Sequence, residues 1–324
     1  MVAPSWIGDT IMMQPLLMRL HARHPDLALD ALAPAWCAPL LLRMPEVRQV
    51  VENPFAHGEF NWAARRALGR TLARQGYDEA YVLPNSWKSA LAPFFAGIPK
   101  RTGYTGEARF WLLNDRRTLD KTALSRLVDR YVRLAGPGET PPPRLTSTPA
   151  QQAVARAALG LPADASPVVF CPGAEYGPAK RWPARHYADL ARRLATADSP
   201  VWLVGSPKDV AICEEIGRLA GPAVTNLCGR TTLEQAIDLV AGARAVVSND
   251  SGLMHVAAAL DRPLVALFGS SSHNYTPPLS SRSRILSLDL ECSPCFQRTC
   301  PHGHLRCLED LAPERVLAAL DDLK

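Results

Sequence analysis

The chain has 324 residues, 47% of them hydrophobic and 21% charged, which suits two domains of ordinary size with real cores and excludes disorder by composition. Lys and Arg number 36 against 31 Asp and Glu, a formal net charge of +5 with His neutral; this mild excess suits anionic ligands or an anionic surface and is too weak to indicate a nucleic-acid partner. No window approaches the roughly 20 uninterrupted apolar residues of a membrane helix, and Met1-Val2-Ala3-Pro4-Ser5-Trp6 lacks the basic and apolar regions of a signal peptide, so a cytoplasmic location is expected.

In chain order, apolar residues at three- and four-residue spacing predict helices over 11–23 and 59–75, with short buried strands over 27–33 and 79–83. Gly136-Pro137-Gly138-Glu139-Thr140-Pro141-Pro142-Pro143 can continue neither kind of element and reads as a linker, dividing the chain into domains 1–143 and 144–324. Strands are then expected over 167–171, 201–205, 244–248 and 263–268, with helices over 185–197, 207–220, 231–241 and 253–260. There is no internal repeat and no heptad run. Strand–helix alternation implies an α/β fold with parallel sheets covered by helices. Two such domains imply a cleft where strand C-terminal ends converge and a ligand binds.

Four turns at helix starts carry candidate chemistry. Pro4-Ser5-Trp6-Ile7-Gly8-Asp9-Thr10 precedes the first helix. Gly8 permits a tight turn, and Asp9 reads either as the helix N-cap or as a general base toward a hydroxyl. Cys171-Pro172-Gly173-Ala174-Glu175-Tyr176-Gly177-Pro178-Ala179-Lys180-Arg181-Trp182-Pro183 follows a strand. A loop whose backbone approaches closely and which ends in Lys-Arg suits a phosphate, although P-loop spacing is absent; the plainer reading is a solvated basic loop. Ser248-Asn249-Asp250-Ser251-Gly252-Leu253-Met254-His255 ends a strand and starts a helix whose first amides favour an anion, with Asp250 or Ser251 as cap and His255 either ligand-facing or structural. Two anion-accepting loops in one domain suggest a diphosphate donor. Ser206-Pro207-Lys208-Asp209 is a weaker case, with Asp209 either near a ribose or simply capping.

Eight Cys in a chain this long do not make a secreted disulfide scaffold. Cys37, Cys171, Cys213 and Cys228 are scattered and read as buried free thiols. Cys292, Cys295, Cys300 and Cys307, with His302 and His304 among them, fit a structural Zn²⁺ site; unliganded thiols and disulfides stay open, and nothing in the sequence links this segment to the chemistry.

These motifs, in this order, resemble the lipopolysaccharide heptosyltransferases of Gram-negative bacteria, the type II members above all. The resemblance runs over nearly the whole chain. It also includes Ala33-Pro34-Ala35-Trp36-Cys37, Arg43-Met44-Pro45-Glu46-Val47, Leu83-Pro84-Asn85-Ser86-Trp87-Lys88-Ser89-Ala90, Pro93-Phe94-Phe95-Ala96-Gly97-Ile98-Pro99 and Leu112-Leu113-Asn114-Asp115. It implies a GT-B glycosyltransferase of two Rossmann-like domains, the acceptor on the first and the nucleotide sugar on the second. The implied donor is ADP-L-glycero-D-manno-heptose and the implied acceptor is the 3-hydroxyl of the first heptose on the lipid A–Kdo core. Transfer is implied to invert the anomeric centre and to need no metal.

By the same resemblance, Asp9 matches the general base and Lys180 the phosphate-binding lysine. Asp250, Ser251 and Gly252 match the donor-binding turn, with His255 and Gly173 close by; Gly8, Asn85, Ser86 and Lys88 fall on the acceptor side. A lipid-anchored acceptor further implies peripheral contact with the inner face of the inner membrane. Family members begin with a short apolar strand ahead of the Gly-Asp turn where only Met1-Val2-Ala3 stand here, so the first strand is expected to be missing and its neighbours' edges bare. Two other readings stay open: a nucleotide-sugar epimerase of related fold, and a non-catalytic protein that binds the nucleotide sugar or the core.

Overall fold

A computed structural model describes residues 1–56 and 58–323. The chain divides into two compact units, Met1–Pro141 and the remainder from Pro142 onward. The first holds five parallel strands: β1 (Asp30–Ala33), β2 (Gln49–Glu52), β3 (Glu79–Tyr81), β4 (Lys100–Tyr104) and β5 (Asp115–Arg117). β1 pairs with β2, and β3, β4 and β5 pair in that order.

The expected gap at the first strand is partly closed. Val2 bridges in parallel to both Leu32 and Val82. Its amide donates to Tyr81 O at 2.8 Å, and Leu32 N donates to Met1 O at 2.8 Å. A cavity of about 620 Å³ beside these bridges is lined by Met1, Val2, Leu29, Asp30, Tyr77 and Tyr81 among others.

The helix predicted over 11–23 starts earlier, at Ile7, and runs to Arg23 with Trp6 as its N-cap. Its buried face is Ile11, Met12, Met13, Leu16, Leu17 and Leu20, the stripe that three- and four-residue spacing produces. The helix predicted over 59–75 is Trp62–Ala73, set by Asn61, whose side chain accepts from Ala64 N at 3.0 Å.

The second unit is a six-stranded parallel sheet. Its strands are β6 (Val168–Cys171), β7 (Val201–Leu203), β8 (Val224–Asn226), β9 (Ala245–Asn249), β10 (Leu264–Leu267) and β11 (Ser283–Leu286), in spatial order β11-β10-β9-β6-β7-β8. The four central strands are buried along their whole length, which is why they read as unbroken apolar runs. Phe170 of β6 packs on Tyr187, and Tyr187 edge-on against Trp182, with ring centroids 5.5 and 4.8 Å apart. The helix Ala184–Leu194 buries Ala184, Tyr187, Ala188, Leu190 and Ala191 into this core. Thr148/Gln151 and Thr232/Gln235 form capping boxes at two helix starts. The expected helix over 207–220 opens as a 3-10 turn, Pro207–Asp209, then runs α-helical from Val210 to Ala220. It stops at Gly221, whose φ of 63° suits glycine.

Cys213 and Cys228 are not free thiols as expected: they form a disulfide, with Cα atoms 6.3 Å apart. Fifteen residues apart in sequence, they meet because β8 returns the chain beside the helix that carries Cys213. Among the described residues, no helix is long and apolar enough to cross a membrane.

Candidate active site

Parallel pairing assembles the site in the second unit. β6 lies directly against β9, with Cys171 opposite Ser248, while β10 flanks β9 with Leu267 opposite Asn249. The loops after Cys171, Asn249 and Leu267 therefore leave the same edge of the sheet side by side. β6 is followed by β7 on one flank and has β9 on the other. That is the point of strand-order reversal, where open α/β sheets bind ligands.

Lys180 and Asp250, 70 residues apart, meet there. Lys180 Nζ donates to Asp250 Oδ2 at 2.6 Å, and Ser271 Oγ donates to the same oxygen at 2.5 Å. The Asp250 side chain is 6% exposed and that of Lys180 18%, so the pair is held in place while the ammonium keeps a route to a ligand. Lys180 Nζ also stands 5.2 Å from the centroid of Tyr176. Asn249 braces the arrangement: its Oδ1 accepts from Trp182 N at 3.1 Å and from Tyr187 OH at 3.0 Å, and its Nδ2 donates to Pro172 O at 2.7 Å. One buried carboxamide thus fixes both ends of the loop carrying Lys180.

The helix Gly252–Ala259 starts from Ser251, whose hydroxyl makes no capping bond to it; Ser251 Oγ instead lies 3.2 Å from Ser248 Oγ. First-turn amides left uncapped by side chains are suited to an anion. His255, one turn in, is buried, and burial pushes its imidazole down to about 4, with Asp250 pulling the other way and Lys180 adding to the depression. It is neutral at neutral pH. Asp209 takes the capping role: its Oδ2 accepts from Ser206 N at 3.0 Å and Ser206 Oγ at 2.7 Å. Gly173 faces that carboxylate so closely that a Cβ would collide with it, which is the physical reason for glycine there.

In the first unit Asp9 is the third residue of the helix Ile7–Arg23, in its first turn. It is not the N-cap, because the chain turns helical two residues earlier. Gly8 sits beside it in the same turn. Asn85 Oδ1 accepts from Arg109 Nη2 at 3.2 Å, and the buried Arg109 guanidinium also donates to Pro84 O and Tyr104 O. Asn85 is therefore anchored to a cation that the motif did not reveal. Ser86 stands at the start of the 3-10 turn Trp87–Ala90 without a side-chain capping bond, and Lys88 Nζ donates to Glu59 O at 3.4 Å.

The zinc expectation is not supported. Cys292, Cys295, Cys300 and Cys307 line a cavity of only about 10 Å³. Among the described residues no group of three or more His, Cys, Asp and Glu is arranged to hold a metal ion. All four are free thiols, and burial, with the neighbouring thiols adding to it, pushes Cys307 up to about 11. The segment is nevertheless tied to the site. Ala179 N donates to Arg298 O at 3.0 Å, Tyr176 OH to Phe296 O at 2.7 Å, and Phe296 N to Ser270 O at 2.7 Å. It braces the loops carrying Lys180 and Ser271.

Ser271, Asn249 and Tyr176 were not singled out by sequence. The signal available for Ser271 was its position just past the strand now seen as β10.

Residues 65–306 match the profile of glycosyltransferase family 9 (heptosyltransferase). The chain belongs to that family. As a member it is a glycosyltransferase, which speaks against both the epimerase and the non-catalytic binding protein. A lipopolysaccharide heptosyltransferase 2 of Salmonella typhimurium is 46% identical, over 99% of this chain and 97% of its own. A lipooligosaccharide heptosyltransferase 2 of Haemophilus influenzae is 45% identical, over 99% and 98%. The solved structure of the Escherichia coli ADP-heptose lps heptosyltransferase II superposes with a TM-score of 0.88 at 44% identity, covering 99% of this chain and 97% of that one. This family-9 chain therefore has the GT-B architecture of Rossmann-like α/β units.

Proposed function

We propose that the chain transfers L-glycero-D-manno-heptose from ADP-heptose to the 3-hydroxyl of the first heptose of the lipopolysaccharide inner core, inverting the anomeric centre. The observation that carries this reading is the Lys180–Asp250–Ser271 cluster beside the uncapped start of the helix Gly252–Ala259. The names of the similar proteins support a heptosyl donor and a lipopolysaccharide acceptor; the configuration of the sugar and the 3-hydroxyl position are part of the proposal.

The unit from Pro142 onward takes the nucleotide sugar and the first unit takes the acceptor. The acceptor oxygen attacks the anomeric carbon as the bond from that carbon to the diphosphate oxygen breaks, and the departing electron pair goes to ADP. Lys180 and the first amides of the helix Gly252–Ala259 stabilise that developing charge. Asp250 holds the Lys180 ammonium in position. Asp9 accepts the proton of the attacking hydroxyl, from a helix first turn where its carboxylate is electrostatically favoured. Asn85, Ser86 and Lys88 lie on the acceptor side. Because the acceptor is lipid-anchored, the chain works peripherally at the inner face of the inner membrane.

The test is ADP release from ADP-heptose with and without purified core ending in one heptose. Acceptor-dependent ADP with a gain of one heptose residue in product mass is expected. Donor binding without transfer overturns the reading.

A further inference from the structure

We propose that the helix Trp62–Ala73 and the aromatic cluster at its start form the surface by which this chain docks on an anionic phospholipid bilayer. The inference rests on the lipid-anchored acceptor proposed above and identifies the surface that meets the lipid.

The helix carries two chemistries on its exposed side. Trp62, Arg66, Arg70 and Arg74 follow one another at four-residue spacing, and all are exposed, so they run along one flank of the helix. No Asp or Glu occurs between Glu59 and Asp78. Among the described residues, Arg66, Arg70 and Arg74 have no ion-pair partner. The inner side of the helix is fixed against Leu91–Phe95: Gly69 lies so close to Phe95 that a Cβ there would collide with it. The arginine flank is thus the face left to solvent.

At the N-terminal end the apolar element is aromatic and continuous. The Phe60 ring lies 5.1 Å from Trp87 and 6.3 Å from Trp62; Trp62 lies 5.0 Å from Phe95, and Phe95 5.7 Å from Phe94. Phe60 and Trp62 are each 51% exposed and Phe94 39%. In the second unit, by contrast, both tryptophans, Trp182 and Trp202, are wholly buried. Half-exposed Trp and Phe beside an unpaired row of arginines with no acid among them match a bilayer interface: the rings settle at headgroup level and the guanidinium groups face phosphate. Glu59 and Glu107 border the aromatic cluster, but the arginine row itself has no acid between Glu59 and Asp78, and that run of uncompensated positive charge is the complementarity that favours an anionic lipid over a polypeptide of mixed charge.

The test is sedimentation of the full chain with phosphatidylethanolamine/phosphatidylglycerol vesicles and with phosphatidylcholine vesicles, none containing the acceptor. Strong binding to the anionic vesicles only is expected. Each arginine near such a surface is worth about fivefold, so R66Q/R70Q/R74Q should lose on the order of a hundredfold in partitioning. F60A/W62A should lose about tenfold, and that loss should persist at high salt. R218Q/R284Q/R315Q removes the same charge from exposed positions of the second unit and should bind like the parent. The proposal is overturned if the parent ignores anionic vesicles or binds both kinds equally, or if the two triple variants behave alike. Transfer to a lipid-free core oligosaccharide, measured in parallel, should be unchanged in R66Q/R70Q/R74Q. Turnover without vesicle binding defeats the docking surface alone, whereas vesicle binding without turnover defeats the proposed acceptor and leaves the surface standing.

Discussion

His255 gives the sharpest test of the site's electrostatics. Its imidazole is held down to about 4 from an ordinary 6.5, first by burial and then by the Lys180 charge, partly offset by Asp250. A depressed folded-state value means that the unfolded chain binds the extra proton between those limits. The stability this contributes is complete above about pH 6.5 and is lost as pH falls toward 4. The whole depression corresponds to roughly 3 kcal/mol, of which about 2 kcal/mol is lost between pH 7.5 and pH 5.0. Urea unfolding followed by circular dichroism at those two pH values, for the parent and for His255→Gln, measures it. The substitution shifts stability at both pH values, but the difference between them should shrink by about 2 kcal/mol in the variant. An unchanged pH difference refutes the reasoning. So does an imidazole resonance titrating near its ordinary value, because the ring would then be solvated and not packed beside Lys180.

Asp9→Asn should fold normally and lower kcat by about two to four orders of magnitude, the range for loss of a general base; near-parental turnover would assign the carboxylate to the helix first turn alone. Lys180→Ala should weaken ADP binding by about tenfold to a hundredfold, the range for a charge-assisted hydrogen bond, as read by titration calorimetry; unchanged ADP affinity would remove Lys180 from the phosphate site. Thiol titration of the denatured, unreduced chain should count six reactive groups, Cys37, Cys171, Cys292, Cys295, Cys300 and Cys307, and elemental analysis should find no stoichiometric zinc. Eight thiols would dissolve the Cys213–Cys228 bond, and one zinc per chain would restore the four-thiolate site.

The buried parallel strands were legible because burial on both faces leaves an unmistakable apolar run: β6, β9 and β10 fall within a residue or two of where the sequence places them. The strands it missed are peripheral or polar. β5 is Asp115-Arg116-Arg117, β4 begins Lys100-Arg101, and β11 lies at a sheet edge. Their pairing comes from the backbone ladder of a neighbour, which leaves little trace in side-chain hydrophobicity. Helix interiors were legible for the same reason as the core strands, while their starts depend on local detail: Asn61 caps one helix with its side chain, and another begins at Ile7 with no side-chain cap.

Individual site residues were legible one loop at a time, but their partnerships were not. Lys180 and Asp250 each stood out as a separate anion-side residue, yet their contact requires β6 to lie against β9, a pairing of strands that are not consecutive. That contact changes what each residue does. A lysine paired with a buried carboxylate forms a nearly neutral couple, so the pair is not in itself a strong anion trap. Its value for the proposed reaction lies in geometry: Asp250 takes one of the three donors of the ammonium, which leaves two for a ligand. Ser271 donates to the same carboxylate oxygen and offsets part of its charge, which loosens its competition for Lys180. The remaining attraction comes from the uncapped amides at Gly252, fixed dipoles that need not reorganise as the leaving group gains charge. On this account Asp250 serves transfer by placing a cation. Asn249 serves it by holding still the loop from which that cation extends.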